Sequence, residues 1–301
     1  TTAANNTGTN NSVLGNRAGY SMTSGSNNTL LGYASGDSLT SGNNNIAIGA
    51  LALSTADTSH YNIAIGSYAS QANTSGFSNI SIGHNALNDN TTGFGNVAIG
   101  DNALHTNVGT RYSTAIGFEA MRYANSTTSE SGSHNTALGY QALMGSTTAA
   151  NNTGNYNTAI GSYTLTNNTS GSGNTTLGYS TLNDNTGGGQ NVAIGYSSLS
   201  TNVAKNGSTA IGYGAMRYAD STATGSTTYN TAIGYQALMG STTAANNTGT
   251  RNTVLGSQAG YAMTSGSNNT LLGYGAGDNL TTGGSNIIIG SSVDAVSATG
   301  S

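Results

Sequence analysis

Four histidines, eight aspartates, two glutamates and a few cations are the side chains here with reactive chemistry to offer. The histidines His60, His84, His105 and His134 show neither the His-x-His nor the His-x-x-x-His spacing of a metal site. The aspartates Asp37, Asp57, Asp89, Asp101, Asp184, Asp220, Asp278 and Asp294 lack the recurring Gly-Gly-x-Gly-x-Asp pattern with which some β-rolls hold calcium. Catalysis needs acids, bases and nucleophiles that converge, and groups this sparse and scattered point to no enzyme, no metal and no cofactor. Glycine-rich spacing imitates nucleotide-binding fingerprints, yet the strand, glycine and helix context that such a site requires is missing. Asn-x-Thr triplets, such as residues 5–7 and 167–169, formally match glycosylation acceptors but arise by chance in a chain so rich in Asn and Thr.

Binding chemistry is better represented. The sequence Arg-Tyr-Ala occurs at Arg122, Tyr123 and at Arg217, Tyr218, which places two of the six cations beside aromatic rings. Such a pair suits a glycan or an acidic surface group, with Tyr stacking and Arg donating; the competing reading is that it locks adjacent chains together. Tyr33, Tyr140, Tyr179, Tyr196, Tyr213, Tyr235 and Tyr274 recur at one position of a repeat, with Phe118 and His84 in equivalent places. That column reads either as rings that stack on sugar faces or as an aromatic ladder between coils.

These residues are carried by a repeat. The motif Asn-x-small-Ile/Leu-Gly returns sixteen times, with its glycine at Gly15, Gly32, Gly49, Gly66, Gly83, Gly100, Gly117, Gly139, Gly161, Gly178, Gly195, Gly212, Gly234, Gly256, Gly273 and Gly290. Every step is 17 residues except four of 22, which fall as two adjacent pairs offset by 95. A short fixed period marks a solenoid whose units bury together a surface that none could bury alone. The sequence therefore predicts an all-β chain, a parallel β-solenoid or β-roll of about sixteen coils over residues 11–292. Residues 1–10 read as part of a preceding coil and 293–301 as an exit segment.

Leu, Ile, Val and Phe fall below the roughly 20% share under which disorder is the default, but the net charge is only −4 and the large apolar residues sit at fixed positions. Six scattered Lys and Arg cannot neutralise a phosphate backbone, so no nucleic-acid partner is expected. No apolar run approaches membrane-spanning length, and the chain has no cysteine. The segment TTAANNTG at residues 1–8 reappears at 147–154 and 242–249, so the chain opens inside a repeat and reads as a window on a longer polypeptide.

Aligned on the motif glycine, each position has a task. Four residues before it stands Asn in fourteen of sixteen coils, among them Asn62, Asn96, Asn157 and Asn191, with Ser113 and Ser208 the exceptions. Stacked at the strand spacing of ~4.8 Å, these side chains can form an amide ladder. The Ile or Leu just before the glycine is expected to face the core, and the Ala before that, as at Ala47, Ala64 and Ala98, to face outward toward a neighbouring chain. Three and four residues after the glycine, a small residue and then Leu or Met form a second wall. Glycines about seven residues before the next motif, such as Gly25, Gly42, Gly76, Gly93, Gly132, Gly154 and Gly171, are expected to supply a positive φ at the closing turn. Near both ends the wall residue becomes Gly19, Gly36, Gly260 or Gly277 while the small position enlarges to Val13, Leu30, Val254, Leu271 and Ile288. The four long coils carry five extra residues each, in 122–130, 144–152, 217–225 and 239–247, expected to bulge as loops.

Two large apolar side chains per coil make a thin core, so association of several chains along the small-residue face is expected. The glycines Gly15, Gly49, Gly100, Gly117, Gly161 and Gly212 and the asparagines above are assigned structural roles. Runs such as NTAIGYQAL at residues 230–238 resemble the head repeats of trimeric autotransporter adhesins. They are still more similar to related repeats in the shafts of phage tail fibres and other trimeric virion fibres. The resemblance spans essentially the whole chain, although the adhesin repeat is shorter. It implies a left-handed parallel β-roll assembled as a parallel homotrimer. The implied setting is extracellular, on a virion or bacterial cell surface, with attachment to a host glycan or protein as the task. The tail at 291–301 resembles the exit from such a shaft toward a C-terminal trimerising or self-cleaving chaperone domain. A self-assembling extracellular filament or sheath is the alternative. An ice-binding solenoid is a further one, because Thr precedes many motif glycines by three residues.

Overall fold

The computed structural model of the chain describes residues 7–123, 133–148, 151–218, 225–243 and 246–294. It divides into two compact units, Thr1–Asn155 and Tyr156–Ser301. The first carries β1 (Ser12–Leu14), β2 (Thr29–Leu31), β3 (Ile46–Ile48), β4 (Ile63–Ile65), β5 (Ile80–Ile82), β6 (Val97–Ile99), β7 (Thr114–Ile116) and β8 (Thr136–Leu138). The second carries β9 (Thr158–Ile160), β10 (Thr175–Tyr179), β11 (Val192–Tyr196), β12 (Thr209–Ile211), β13 (Thr231–Ile233), β14 (Thr253–Leu255), β15 (Thr270–Leu272) and β16 (Ile287–Ile289). Each motif thus forms one strand, and within each unit the strands follow in sequence order, all parallel. Register is kept residue for residue: Ile46, Ala47 and Ile48 pair with Ile63, Ala64 and Ile65, and Thr231 pairs with Thr253 across a step of 22. The fold is an all-β parallel solenoid. Its second wall is not a second strand but a run of turns, joined from coil to coil by bonds such as Leu53 N–H to Ala69 O at 3.0 Å and Leu87 N–H to Ala103 O at 2.9 Å.

The strands face the other way from the expectation. The small central residues Ala47, Ala64, Ala98, Ala115, Ala159 and Ala210 are fully buried inside the coil, while the Ile that follows each of them and the Ile, Val or Thr before it look outward. Leu31, Leu177 and Leu255 are 42%, 47% and 47% exposed. The reason is volume. The interior also receives the second-wall residues, Ala52 and Leu53 in one coil and Ala103 and Leu104 in another, all fully buried. With Leu already inside, only a small residue fits at the centre of the strand, Ala in most coils and Ser81 or Thr176 in two. The end coils prove the rule by inverting it. Where Leu271 takes the central place, the wall position is Gly260, whose β-carbon would meet Leu271 Cδ1 at 2.9 Å, and Gly277, where it would meet Leu271 Cδ2 at 3.1 Å.

Corners are made in an unexpected way. Gly25, Gly42, Gly76, Gly93 and Gly171 are not at positive φ. They are glycines because an added β-carbon would run into the carbonyl of the next coil, for example Gly93 O at 2.4 Å from Gly76. Left-handed backbone occurs elsewhere, largely at residues with side chains: Leu104 has φ 50, Asn102 φ 55 and Tyr112 φ 59. Such a conformation disfavours a bulky side chain by roughly 1–2 kcal/mol per residue, and it persists here because buried packing and coil-to-coil bonds over-determine it. Gly132 lies outside the described residues.

Candidate functional site

Two ladders of amides run along the coil interior. Asn45 Oδ1 accepts from both the backbone N–H and Nδ2 of Asn62, at 3.0 and 3.3 Å, and Asn62 Nδ2 also donates to Gly76 O at 3.0 Å. Asn96 donates to Asn79 Oδ1 and to Thr110 O, at 3.2 and 2.9 Å. Asn191 does the same with Asn174 Oδ1 and Lys205 O, and Asn157 Nδ2 reaches Gly171 O at 2.9 Å. Each Asn therefore binds the preceding coil and clamps the beginning of its own turn to the end. A second buried column, absent from the sequence reading, joins Asn73, Asn90 and Asn107, each link being 3.3 Å.

The motif glycines form a third column. Gly15, Gly49, Gly100, Gly117, Gly161 and Gly212 have φ of 139, 137, 133, 132, 123 and 134, a region open only to glycine. A β-carbon on Gly100 would lie 2.4 Å from Gly117 O. These columns hold the coil together and leave the outside of the turns to present side chains.

The aromatic column behaves as a ladder. Tyr179, Tyr196, Tyr213 and Tyr235 stack in succession with centroids 5.1, 5.1 and 5.3 Å apart, and the stack continues across a 22-residue step. Phe118 and Tyr140 stack likewise at 5.3 Å. The rings are only about half covered, so they stabilise neighbouring coils and still show faces and edges to solvent. Elsewhere in the first unit Asn27, Asn43, Asn44, His60 and Tyr61 line an open groove of about 310 Å³ with uncharged hydrogen-bonding groups. His60 Nδ1 accepts from Asn43 N–H at 3.2 Å.

Both Arg-Tyr pairs are partly buried at the entry to long coils, each guanidinium over the ring beside it, 4.9 Å for Arg122 on Tyr123 and 5.2 Å for Arg217 on Tyr218. The extra residues that follow them, 124–132 and 219–224, lie outside the described residues, as do 149–150 and 244–245. Arg122 Nη1 donates to Glu119 Oε1, and Glu119 Oε2 accepts from Gln141 Nε2 at 2.7 Å. Glu119 and Gln141 were not singled out by motif reasoning; their signal is their place directly beneath one another, two residues after successive motif glycines. The two outward columns that flank the central residue complete the outer surface in strict register, one of Ile and Leu and the other of Ile, Val and Thr.

Comparison with known protein families, curated proteins and solved structures returns no match to this chain.

Proposed function

We propose that the chain is a structural and adhesive fibre of three parallel copies, working outside the cell on a virion or bacterial surface to attach it to a host. The observation that supports this is the outward Ile and Leu of each strand. Leu14, Leu138, Leu177, Leu255 and Leu272 are 41–70% exposed, aligned on one face of each parallel ladder rather than scattered. A contiguous apolar face of that kind is what a protein buries against a partner. Parallel copies offer each other an identical face with an identical period. The contact thus moves from the alanines to the larger side chains, which bury more apolar area per coil. The resemblance to trimeric fibre repeats supports three as the number and attachment as the task.

Light scattering on the purified chain is expected to give about three times its 29.9 kDa mass. A stable folded monomer would overturn the proposal. Ile65→Asp with Ile116→Asp should release folded single chains, since both side chains lie on the outer face. The double change Tyr123→Ala with Tyr218→Ala, scored for attachment and for assembly, separates recognition from chain locking. Recognition predicts lost attachment with assembly intact.

A second reading has one observation of its own. In the second unit Thr158, Thr175, Thr209, Thr231, Thr253 and Thr270 line the same outer face, interrupted by Val192. A regular Thr array is the surface of an ice-binding solenoid. The two readings compete for one face, so thermal hysteresis by a monomer would favour ice and a trimer would exclude it.

A further inference from the structure

The paired long coils repeat at an offset of 95 residues, so every residue of the first copy has a counterpart in the second. Arg122, Tyr123 and Gln141 correspond to Arg217, Tyr218 and Gln236. Glu119 corresponds to Gly214. In the first copy the Glu119 side chain is only 11% exposed, and its two oxygens are taken by Arg122 Nη1 and Gln141 Nε2. The second copy keeps both donors and lacks the carboxylate.

Gly214 is buried, yet among the described residues no side chain takes the place of the Glu119 carboxylate. Gly214 holds the same left-handed backbone as Glu119, φ 63 against 54, and a β-carbon on it would meet only Gln236 Cγ at an ordinary 3.5 Å. Gln236 Oε1 accepts from Gln258 Nε2 at 3.3 Å, which fixes the amide with Nε2 as its remaining donor. Among the described residues Arg217 has no acidic partner and rests on Tyr218. By correspondence with the first copy, a guanidinium and an amide stand at the positions that there donate to a carboxylate, and such donors regain charge-assisted hydrogen bonds from a carboxylate that enters.

We propose that Arg217 and Gln236 form a binding site for the carboxylate of an acidic sugar residue, the first copy being the same site sealed by its own Glu119. The sugar follows from the surroundings. Tyr213 and Tyr235, the residues just before Gly214 and Gln236, stack at 5.3 Å and are 45% and 49% exposed, giving ring surface for a pyranose beside the anion site. The site lies within one chain, so it stands or falls independently of trimer formation and of host attachment.

Calorimetric titration of the purified chain with sodium glucuronate tests this, with methyl glucoside and acetate as controls. One glucuronate should bind per chain, methyl glucoside should not bind, and acetate should bind at least tenfold more weakly. Gly214→Glu should abolish uptake without lowering the melting temperature, because Glu119 already shows that glutamate fits there. Glu119→Gly should open the sealed copy and raise the stoichiometry from one to two. No uptake by the wild-type chain, equal uptake by Gly214→Glu, or acetate binding as tightly as glucuronate would each overturn the proposal. Asp220, which stands where the first copy has Asn125, lies outside the described residues. Uptake seen only in Asp220→Asn would mean that the chain fills the vacancy itself, and would overturn the proposal as well.

Discussion

Leu30 presses against the backbone of Gly36: a β-carbon on that glycine would meet Leu30 Cδ2 at 2.9 Å and Cδ1 at 3.1 Å. The two positions share one volume, which the middle coils fill the other way round with Ala47 and Leu53. Leu30→Ala should therefore cost about 2–5 kcal/mol by leaving a cavity. Gly36→Leu alone should cost about 1–3 kcal/mol by overpacking. The double variant should recover most of the loss, since Gly36 at φ 57 has the backbone that Leu53 adopts at φ 52. Urea unfolding of all three variants measures the coupling, and strictly additive losses would refute shared volume.

Gly100→Val should destabilise by about 3 kcal/mol or more, because valine at φ 133 is strained and its β-carbon collides with Gly117 O. Asp101→Ala next to it should stay within about 0.5 kcal/mol, since among the described residues the Asp101 carboxylate meets Asn102 Nδ2 at 2.6 Å and His84 Nδ1 at 3.5 Å near the surface and its backbone bond to Glu119 N–H survives the change. Thermal melts of the two variants check this, and equal tolerance would contradict the column of glycines.

Asn45→Ala should be far worse than an exposed Asn→Ala. It removes the acceptor of Asn62 N–H and the donor to Ser59 O, both buried. Each orphaned buried group costs about 1–3 kcal/mol. Amide hydrogen exchange at Asn62 should accelerate in the variant, and Asn44→Ala, at an exposed side chain, supplies the control.

Stability should fall in mild acid through His105. Burial lowers its pKa below 6.5, Asp89 at 3.7 Å opposing that and Arg122 adding to it. The unfolded chain, whose histidine keeps its ordinary value, then binds more protons than the folded one as pH falls through about 6.5. The sign is a loss of stability on acidification, complete once the pH is below the lowered folded value. His105→Gln should flatten the dependence of melting temperature on pH between about 7 and 5.

Period, register and the Asn ladder were legible because each depends on spacing alone, and the Asn45, Asn62, Asn79 column needs only a 17-residue step to align. The side of the strand was not. Hydrophobicity assigns Ile48 to the inside and Ala47 to the outside, whereas the deciding quantity is the room left by Leu53, a residue of the opposite wall. The pairing of Val13 and Leu30 with Gly19 and Gly36 was visible in the sequence and carried that information. Left-handed Leu104 or Tyr112 has no local signature, because coil-to-coil bonding rather than residue preference imposes it. Arg122 and Tyr123 were picked out by their adjacency, but Glu119 enters only when successive coils are superposed.

A ladder in which asparagine meets asparagine and glycine meets glycine carries no address: a chain that looped out one whole coil would find an equivalent rung waiting. Two rungs are different. Ser113 and Ser208 interrupt the amides, and their hydroxyls close instead on Ser133 Oγ and, at 2.6 Å, on Thr228 Oγ1. An asparagine misplaced onto either rung would thrust an amide into a space shaped for a hydroxyl pair. One such rung stands in each unit, at the entry to its long coils, where it acts as a keyed tooth in an otherwise uniform rack and penalises a slipped stack while it is still growing.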